Sequence, residues 1–200
     1  SVRGDVPATL RKIRSIMAAT PTLLEQEQRF LEGYSLVVVD SPSLPLRAAR
    51  LARIPGVALT SFGWDYIYRP FVAQDPAWLE VCQWFQDGYQ EATLALQYPF
   101  SAPIAAKTET VPLVSRPGRS RRQEIARETG ADPDRPWALV WFHQLDMDPA
   151  LLRGLPYELL TRMDWPQARR SSLPFADQVA SADVVITKPG FGILSDCIAN

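Results

Sequence analysis

The stretch Asp183-Val-Val-Ile-Thr-Lys-Pro-Gly-Phe-Gly192 decides the fold class predicted for this chain of 200 residues. Its first five residues predict a short strand, and residues 188–192 form a turn that contains glycine. A helix is predicted from Ile193 onward. Strand, turn and helix in this order are typical of an α/β fold, in which ligands bind at the carboxyl ends of parallel strands.

The turn carries groups that suit an anionic ligand. Gly190 and Gly192 allow backbone N–H groups to come close to a phosphate, and the start of the following helix favours negative charge. Lys188 adds a cation, Ser195 a hydroxyl, and Asp196 a carboxylate that can accept hydrogen bonds from a ribose. The alternative is an ordinary strand-to-helix turn that needs glycine for its backbone. The third glycine of the dinucleotide pattern G-x-G-x-x-G is missing.

A second α/β signal lies nearer the start of the chain. Ser35-Leu-Val-Val-Val-Asp40 is a continuous apolar run, typical of a strand that is buried on both faces. A helix is predicted over 44–53 and a further strand over 54–60. Strand, helix and strand within about 25 residues form a βαβ unit, which implies a right-handed crossover and a parallel sheet.

The rest of the chain predicts alternating helices and strands. Apolar spacing predicts helix over 5–32, where Pro21 divides the pattern and Thr20 caps the second part. Residues 99–120 are rich in proline, serine and arginine and predict a linker. The other predicted elements are helices over 76–97, 121–129 (begun by Ser120 and ended by Gly130) and 174–180, a helix or turn over 148–152, and strands over 137–142 and 157–161.

Composition argues against several classes of protein. The chain has 22 acidic and 21 basic residues, whereas nucleic-acid binders usually carry a basic excess. No apolar run approaches the roughly 18 residues of a membrane span, and no signal peptide is visible, so the cytoplasm is the simplest compartment. The chain has one histidine and two distant cysteines, so no metal site is expected and both thiols are interpreted as free.

Four segments together resemble one known family. Ser181-Ala-Asp-Val-Val-Ile-Thr-Lys-Pro-Gly-Phe-Gly-Ile-Leu-Ser-Asp196 resembles the nucleotide-sugar loop of glycosyltransferases with the two-domain GT-B fold, of the family 28/1-like type. Residues 39–49 resemble a strand-end segment of that family, and residues 60–68 resemble its aromatic loop. Residues 111–130 match in order and spacing. The same segments are similar to the N-terminal region of plant arabinokinase-type proteins, and the resemblance covers residues 35–200.

This resemblance implies a fold and a division of the chain. The expected fold is α/β, with two Rossmann-like domains that face each other across a cleft. Residues 1–115 would form the acceptor-side domain with its linker, and residues 116–200 the nucleotide-sugar domain. The first strand and glycine-rich loop of the family are not found in the sequence, so the chain is expected to be incomplete at both ends.

The resemblance also implies an activity, which is transfer of a sugar from a nucleotide diphosphate sugar, such as a UDP-sugar, to an acceptor hydroxyl. No metal and no cofactor beyond this donor are expected. Asp65 and Asp40 are the candidates for general base, and Trp64 and Tyr66 for stacking on the acceptor. The candidates for binding the donor are Lys188, Gly190, Phe191, Gly192, Ile193, Ser195, Asp196 and His143.

Alternatives to these assignments remain open. Asp40 and Asp65 could serve only as turn or cap residues, and Trp64 and Tyr66 could belong to the core. The protein as a whole could be a non-catalytic module that binds a sugar or nucleotide-sugar, or an epimerase of the same fold. In each case the expected ligands are small molecules and not nucleic acid.

Overall fold

The computed structural model describes residues 4–142, 154–162, 169–188 and 190–200. The chain divides into two compact units, residues 2–113 (the first unit) and residues 114–200 (the second unit). The first unit contains a parallel sheet of four strands and the second a parallel sheet of three. The prediction of an α/β fold with parallel sheets is therefore confirmed.

The first unit is a sheet covered by helices on one face. Its strand order, β1-β2-β3-β4, follows the chain, so right-handed crossovers place the connecting helices on the same side. The register aligns Val39, Ala58 and Ala95, which are buried in one core with Leu46 and Tyr89. The elements are α1 (Val6–Phe30), β1 (Val37–Val39), α2 (Leu44–Leu51), β2 (Gly56–Leu59), α3 (Trp64–Tyr68), a 3-10 helix (Arg69–Ala73), α4 (Trp78–Gln90), β3 (Leu94–Gln97) and β4 (Thr108–Thr110).

The helix α1 corrects the prediction of a break at Pro21. It runs without interruption, and Thr20 lies inside it, where its hydroxyl donates to the Ile16 carbonyl. The cap is instead Asp5, whose carboxylate accepts from the Ala8 N–H at 2.8 Å. A proline removes one backbone donor from a helix. Burial of Leu10 and Ile13 in the core of the first unit offsets this local loss.

Three further predictions in the first unit need correction. The helix predicted over 76–97 ends at Gln90, and β3 follows at Leu94, because pairing with β2 overrides the continued helical spacing. The segment predicted as a linker, 99–120, contains the edge strand β4. The strand β1 was expected to be buried on both faces, but it lies at the edge of the sheet and Val38 is 60% exposed.

The second unit is built around a central strand. Its strand order is β6-β5-β7, and the first four residues of β5 are fully buried. The helix α5 ends at Gly130, whose φ of 71° is the left-handed conformation that glycine adopts at little cost. The elements are α5 (Arg122–Thr129), β5 (Trp137–Trp141), β6 (Glu158–Thr161), α6 (Phe175–Ser181), β7 (Val184–Thr187) and α7 (Phe191–Ala199).

The helix starts in the second unit differ from their predictions. Ser120 does not cap α5; the residue at that position is Arg121, whose N–H donates to the Ser181 hydroxyl at 2.8 Å. The last helix begins at Phe191, two residues before the predicted start. The helix or turn predicted over 148–152 lies outside the described residues.

Two general properties follow from the described part of the chain. None of its helices combines the length and the apolar character needed to cross a membrane. Cys82 is buried and Cys197 half-buried, and both are free thiols.

Acid is expected to destabilise the second unit through carboxylates whose pKa values are lowered in the folded state. The Asp183 carboxylate accepts from the Trp137 N–H at 2.7 Å and pairs with Arg122 at 2.9 Å, and these contacts hold its pKa below the ordinary 3.8. Hydrogen bonds from Ser171 and Ser172 lower the pKa of Glu128 below 4.5. A lowered pKa contributes stability above the unfolded value, which is lost as the pH falls through the folded value.

The measurement is the urea midpoint of the chain between pH 7 and pH 3. We expect the loss of stability to begin as the pH falls to the ordinary carboxyl values, and to be smaller in Asp183→Asn, which cannot titrate at that position. Asp134→Asn, an exposed residue of the same unit, is the matched control. An equal loss in Asp183→Asn and in the control would contradict this account.

Candidate functional site

The helix α7 begins just after the carboxyl end of β7, and no described side chain caps its start. Gly190 precedes the helix with φ −164° and ψ 144°, and the Leu194 N–H donates to the Gly190 carbonyl at 3.0 Å. The N–H groups of the first helical turn have no acceptor within a helix. Together with the helix dipole, they make this end of α7 attractive to an anion.

A cavity of about 290 Å³ opens in front of this helix start. Six of the eight donor-binding candidates line it: Lys188, Gly190, Phe191, Gly192, Ile193 and Asp196. Ser195 is buried, and its hydroxyl donates to the Phe191 carbonyl at 2.7 Å rather than facing the cavity. His143 lies outside the described residues.

The described residues around the turn do not require glycine at positions 190 and 192. Neither Gly190 nor Gly192 has a positive φ, and a Cβ built on either would meet no described atom within 4 Å. As far as the described residues extend, both positions therefore have room for a Cβ and a backbone conformation open to L-residues. The explanation that glycine serves only the backbone of the turn finds no support at these positions.

Aromatic side chains form one wall of the same cavity. The rings of Trp141 and Phe175 lie 4.3 Å apart between centroids, and the guanidinium of Arg162 sits 5.2 Å from the Trp141 ring. The Thr187 hydroxyl donates to the Trp141 carbonyl at 2.8 Å, which ties the ends of β7 and β5 together. Trp141 and Phe175 were not among the predicted site residues. In the sequence, Trp141 is marked only as an aromatic residue near the end of a predicted strand, and Phe175 only as one at the start of a predicted helix.

Asp196 has a structural contact as well as a place in the cavity wall. Its carboxylate accepts from the Arg116 N–H at 3.3 Å, which holds the start of the second unit against α7. Asp196 is half-buried and lines the cavity. A ligand bound there would therefore meet a carboxylate that already accepts one backbone hydrogen bond.

In the first unit, Asp40 lies at the carboxyl end of β1 and is exposed. The next residue, Ser41, has a φ of 74°, a conformation that residues other than glycine rarely adopt. The Ser41 hydroxyl donates to the Asp40 carboxylate at 3.1 Å and lies 3.2 Å from the Thr60 hydroxyl, which follows β2. Backbone strain of this kind persists only where neighbouring groups hold it.

Asp65, the other predicted base, is buried in the first turn of α3 and is 5% exposed. Its Oδ2 accepts from the Gln86 amide at 3.0 Å and lies 3.9 Å from the Arg69 guanidinium. Its Oδ1 is buried and has no hydrogen-bond partner among the described residues. The two predicted bases thus differ in access, since Asp40 meets solvent and Asp65 does not.

The two aromatic candidates also differ. Trp64 packs into the aromatic core, with its ring 5.4 Å from Tyr68 and 5.6 Å from Phe62 between centroids. Tyr66 is 52% exposed. Tyr66 is therefore free to contact a ligand, whereas the ring of Trp64 is largely engaged in packing.

Two larger cavities of about 710 and 450 Å³ lie away from these sites. They open at the amino ends of the strands of the first unit, near Pro55 and Tyr34. The Arg50 side chain beside the first of them is paired with Glu91 at 3.6 Å. Since ligands of parallel α/β sheets bind at the carboxyl ends of strands, we assign the candidate site to the smaller cavity despite its size. No group of His, Cys, Asp and Glu in the described ranges is placed to hold a metal ion.

The fold of this chain is similar to that of a solved structure. The fold of this chain matches that of CalG4, the calicheamicin glycosyltransferase. The TM-score is 0.56 at 16% sequence identity, and the match covers 98% of this chain and 61% of that chain. At this identity the likeness establishes the fold.

In sequence, the chain is similar to L-arabinokinase of Arabidopsis thaliana. The two are 29% identical over 136 residues, which is 65% of this chain and 13% of the arabinokinase. The chain thus spans a small part of that relative and less than two thirds of CalG4. No protein-family model matches the chain.

Proposed function

We propose that the protein transfers a sugar from a nucleotide diphosphate sugar to an acceptor hydroxyl. The observation that carries this proposal is the open space in front of Gly190 and Gly192, at the start of α7. Neither the backbone angles nor the packing of the described residues requires these two glycines, and their lack of a side chain leaves room for a ligand to reach the helix N–H groups. The similarity of the fold to that of a glycosyltransferase supports the same proposed function.

The cavity has a group for each part of such a donor. The N–H groups of α7 and the Lys188 ammonium would hold the diphosphate, because both carry positive charge. The Trp141 and Phe175 rings would face the base, with which flat aromatic surfaces stack. Asp196 would accept from the ribose hydroxyls. The resemblance to GT-B enzymes assigns the donor to residues 116–200 and the acceptor to residues 1–115, and we include this division in the proposal.

The proposed reaction is a displacement at the anomeric carbon. The acceptor oxygen forms the new bond to this carbon while the bond to the diphosphate oxygen breaks, and the diphosphate leaves with the electron pair. Negative charge grows on the diphosphate, so the helix start and Lys188 would stabilise the transition state more than the ground state. The acceptor proton passes to a carboxylate, for which the exposed Asp40 is better placed than the buried Asp65.

Titration with UDP and with UDP-glucose tests the donor site. We expect calorimetry to show binding with a Kd of about 100 μM or tighter, in the range usual for enzyme substrates. Since helix N–H groups and Lys188 supply the positive charge, addition of EDTA should leave the Kd unchanged. No heat of binding at millimolar UDP would overturn the proposal.

The same ligands separate transfer from its two alternatives. Release of UDP from UDP-glucose, with water or an added sugar alcohol taking the glucosyl group, supports transfer, whereas binding without release under both conditions points to a non-catalytic module. Incorporation of deuterium from solvent into the sugar ring would identify an epimerase instead.

A further inference from the structure

Tyr89 joins two loops that carry the predicted bases. It lies near the end of α4 and is fully buried. Its hydroxyl donates to the Ser41 carbonyl at 2.5 Å and accepts from the Trp64 N–H at 3.0 Å. Ser41 follows Asp40 and Trp64 precedes Asp65, so a single hydroxyl links the loops after β1 and β2.

On the β1 side, the hydroxyl holds a strained residue. Ser41 keeps a φ of 74° and in turn directs its own hydroxyl to the Asp40 carboxylate. Without the bond from Tyr89, the Ser41 carbonyl would lose its buried donor, and the backbone could relax toward a commoner conformation. Such a change would move Asp40 with it.

On the β2 side, the hydroxyl takes the place of a helix cap. Gly63 stands at the cap position of α3 and has no side chain to accept from the first N–H groups. Tyr89 accepts from the first of these, Trp64, instead. A Cβ on Gly63 would lie 2.9 Å from the Tyr89 ring and 2.3 Å from the Asp65 carboxylate, so glycine here permits both groups to approach the backbone at the start of α3.

We propose that Tyr89 is a positioning residue, whose buried hydroxyl fixes the loops of Asp40 and Asp65 relative to each other. The link between the two loops is inferred from the hydrogen bonds alone. Its consequence for catalysis rests on the proposed function. Burial raises the pKa of Tyr89 above its ordinary value, so the phenol stays protonated and can donate at neutral pH.

Tyr89→Phe tests the proposal because it removes the hydroxyl and keeps the ring, which stacks on Phe85. Hydrogen exchange should rise about tenfold at the Trp64 amide and in residues 40–43 and 62–66, with residues 184–199 unchanged. The rate of UDP release from UDP-glucose should fall about tenfold, with the KM for UDP-glucose and the Kd for UDP unchanged.

Tyr68→Phe is the matched control. Tyr68 belongs to the same aromatic core, and in the described structure its hydroxyl bonds to neither loop. Unchanged exchange of both loops in Tyr89→Phe, or an equal effect in Tyr68→Phe, would overturn the proposal. Failure of the wild-type protein to bind UDP would overturn the proposed function alone, because the exchange measurement needs no ligand.

A second variant separates the two ends of the link. Ser41→Gly relieves the strain at a positive φ, since glycine adopts that conformation freely. In this background, Tyr89→Phe should still raise exchange at the Trp64 amide but should disturb residues 40–43 less than in the wild-type background. An undiminished effect on residues 40–43 would show that the hydroxyl does not hold the strained residue.

Discussion

Gly190→Val is expected to weaken UDP binding about 100-fold while the protein stays folded, with a loss of about 1 kcal/mol because valine replaces glycine at the cap position of α7. The φ of −164° and ψ of 144° at this position are extended angles that valine favours. A Cβ there meets no described atom within 4 Å, so the described residues leave room for the first carbon of the side chain. The isopropyl group would instead occupy the space in front of α7. Loss of two charge-assisted hydrogen bonds at about 1.5 kcal/mol each gives about 3 kcal/mol, or roughly 100-fold.

Calorimetric titration with UDP and the thermal midpoint together measure this effect. Gly4→Val is the matched control, because a Cβ on Gly4 also meets nothing within 4 Å and the residue lies far along the chain from the turn. We expect the control to keep both its affinity and its midpoint. Unchanged UDP affinity in Gly190→Val would remove the assignment of the turn as the donor site, whatever the activity of the protein.

Arg122→Ala is expected to lower the free energy of unfolding by about 3 kcal/mol. Its guanidinium donates to the carbonyls of Pro133 at 2.8 Å, of Ser181 at 3.0 Å and of Arg135. It also pairs with Asp183 and lies 4.4 Å from the Trp137 ring. Truncation would remove this donor from two part-buried carbonyls, those of Pro133 and Ser181. The loss of a hydrogen bond to a charged group costs about 1.5–3 kcal/mol.

Chemical unfolding followed by circular dichroism measures this loss. Arg116→Ala removes the same charge from an exposed position in the same unit, and surface substitutions of this kind change stability by about 0.5 kcal/mol or less. Equal midpoints for the two variants would show that the contacts of Arg122 contribute nothing net to the fold.

Part of the fold could be predicted because its signals are local. The β-branched run before Asp40 and the strand before Lys188 are short, continuous and bounded by turn residues, so both strands were located correctly to within a few residues. The errors lie where distant partners decide. Residues 94–97 continue a helical spacing, yet they form β3 because β2 offers backbone partners.

The residues of the candidate site could likewise be predicted where they are neighbours in the sequence, and not where distant segments meet. The turn residues that line the cavity are neighbours in the sequence, so one segment predicted them together. Trp141 and Phe175 come to the same cavity from two separate segments, and no spacing in the sequence relates them to the turn. The contacts of Tyr89 span 48 residues to Ser41 and 25 to Trp64, and an isolated buried tyrosine in a helix gives no sign of them.

The strand order of the first unit has a consequence for how the chain acquires its structure. Each strand from β2 to β4 pairs with the strand that precedes it in the sequence. During synthesis, every new strand therefore finds its neighbour already made, and the closing of each loop involves a short length of chain. In the second unit, by contrast, β5 is made first and becomes the centre. Its second edge stays open until β7 has left the ribosome.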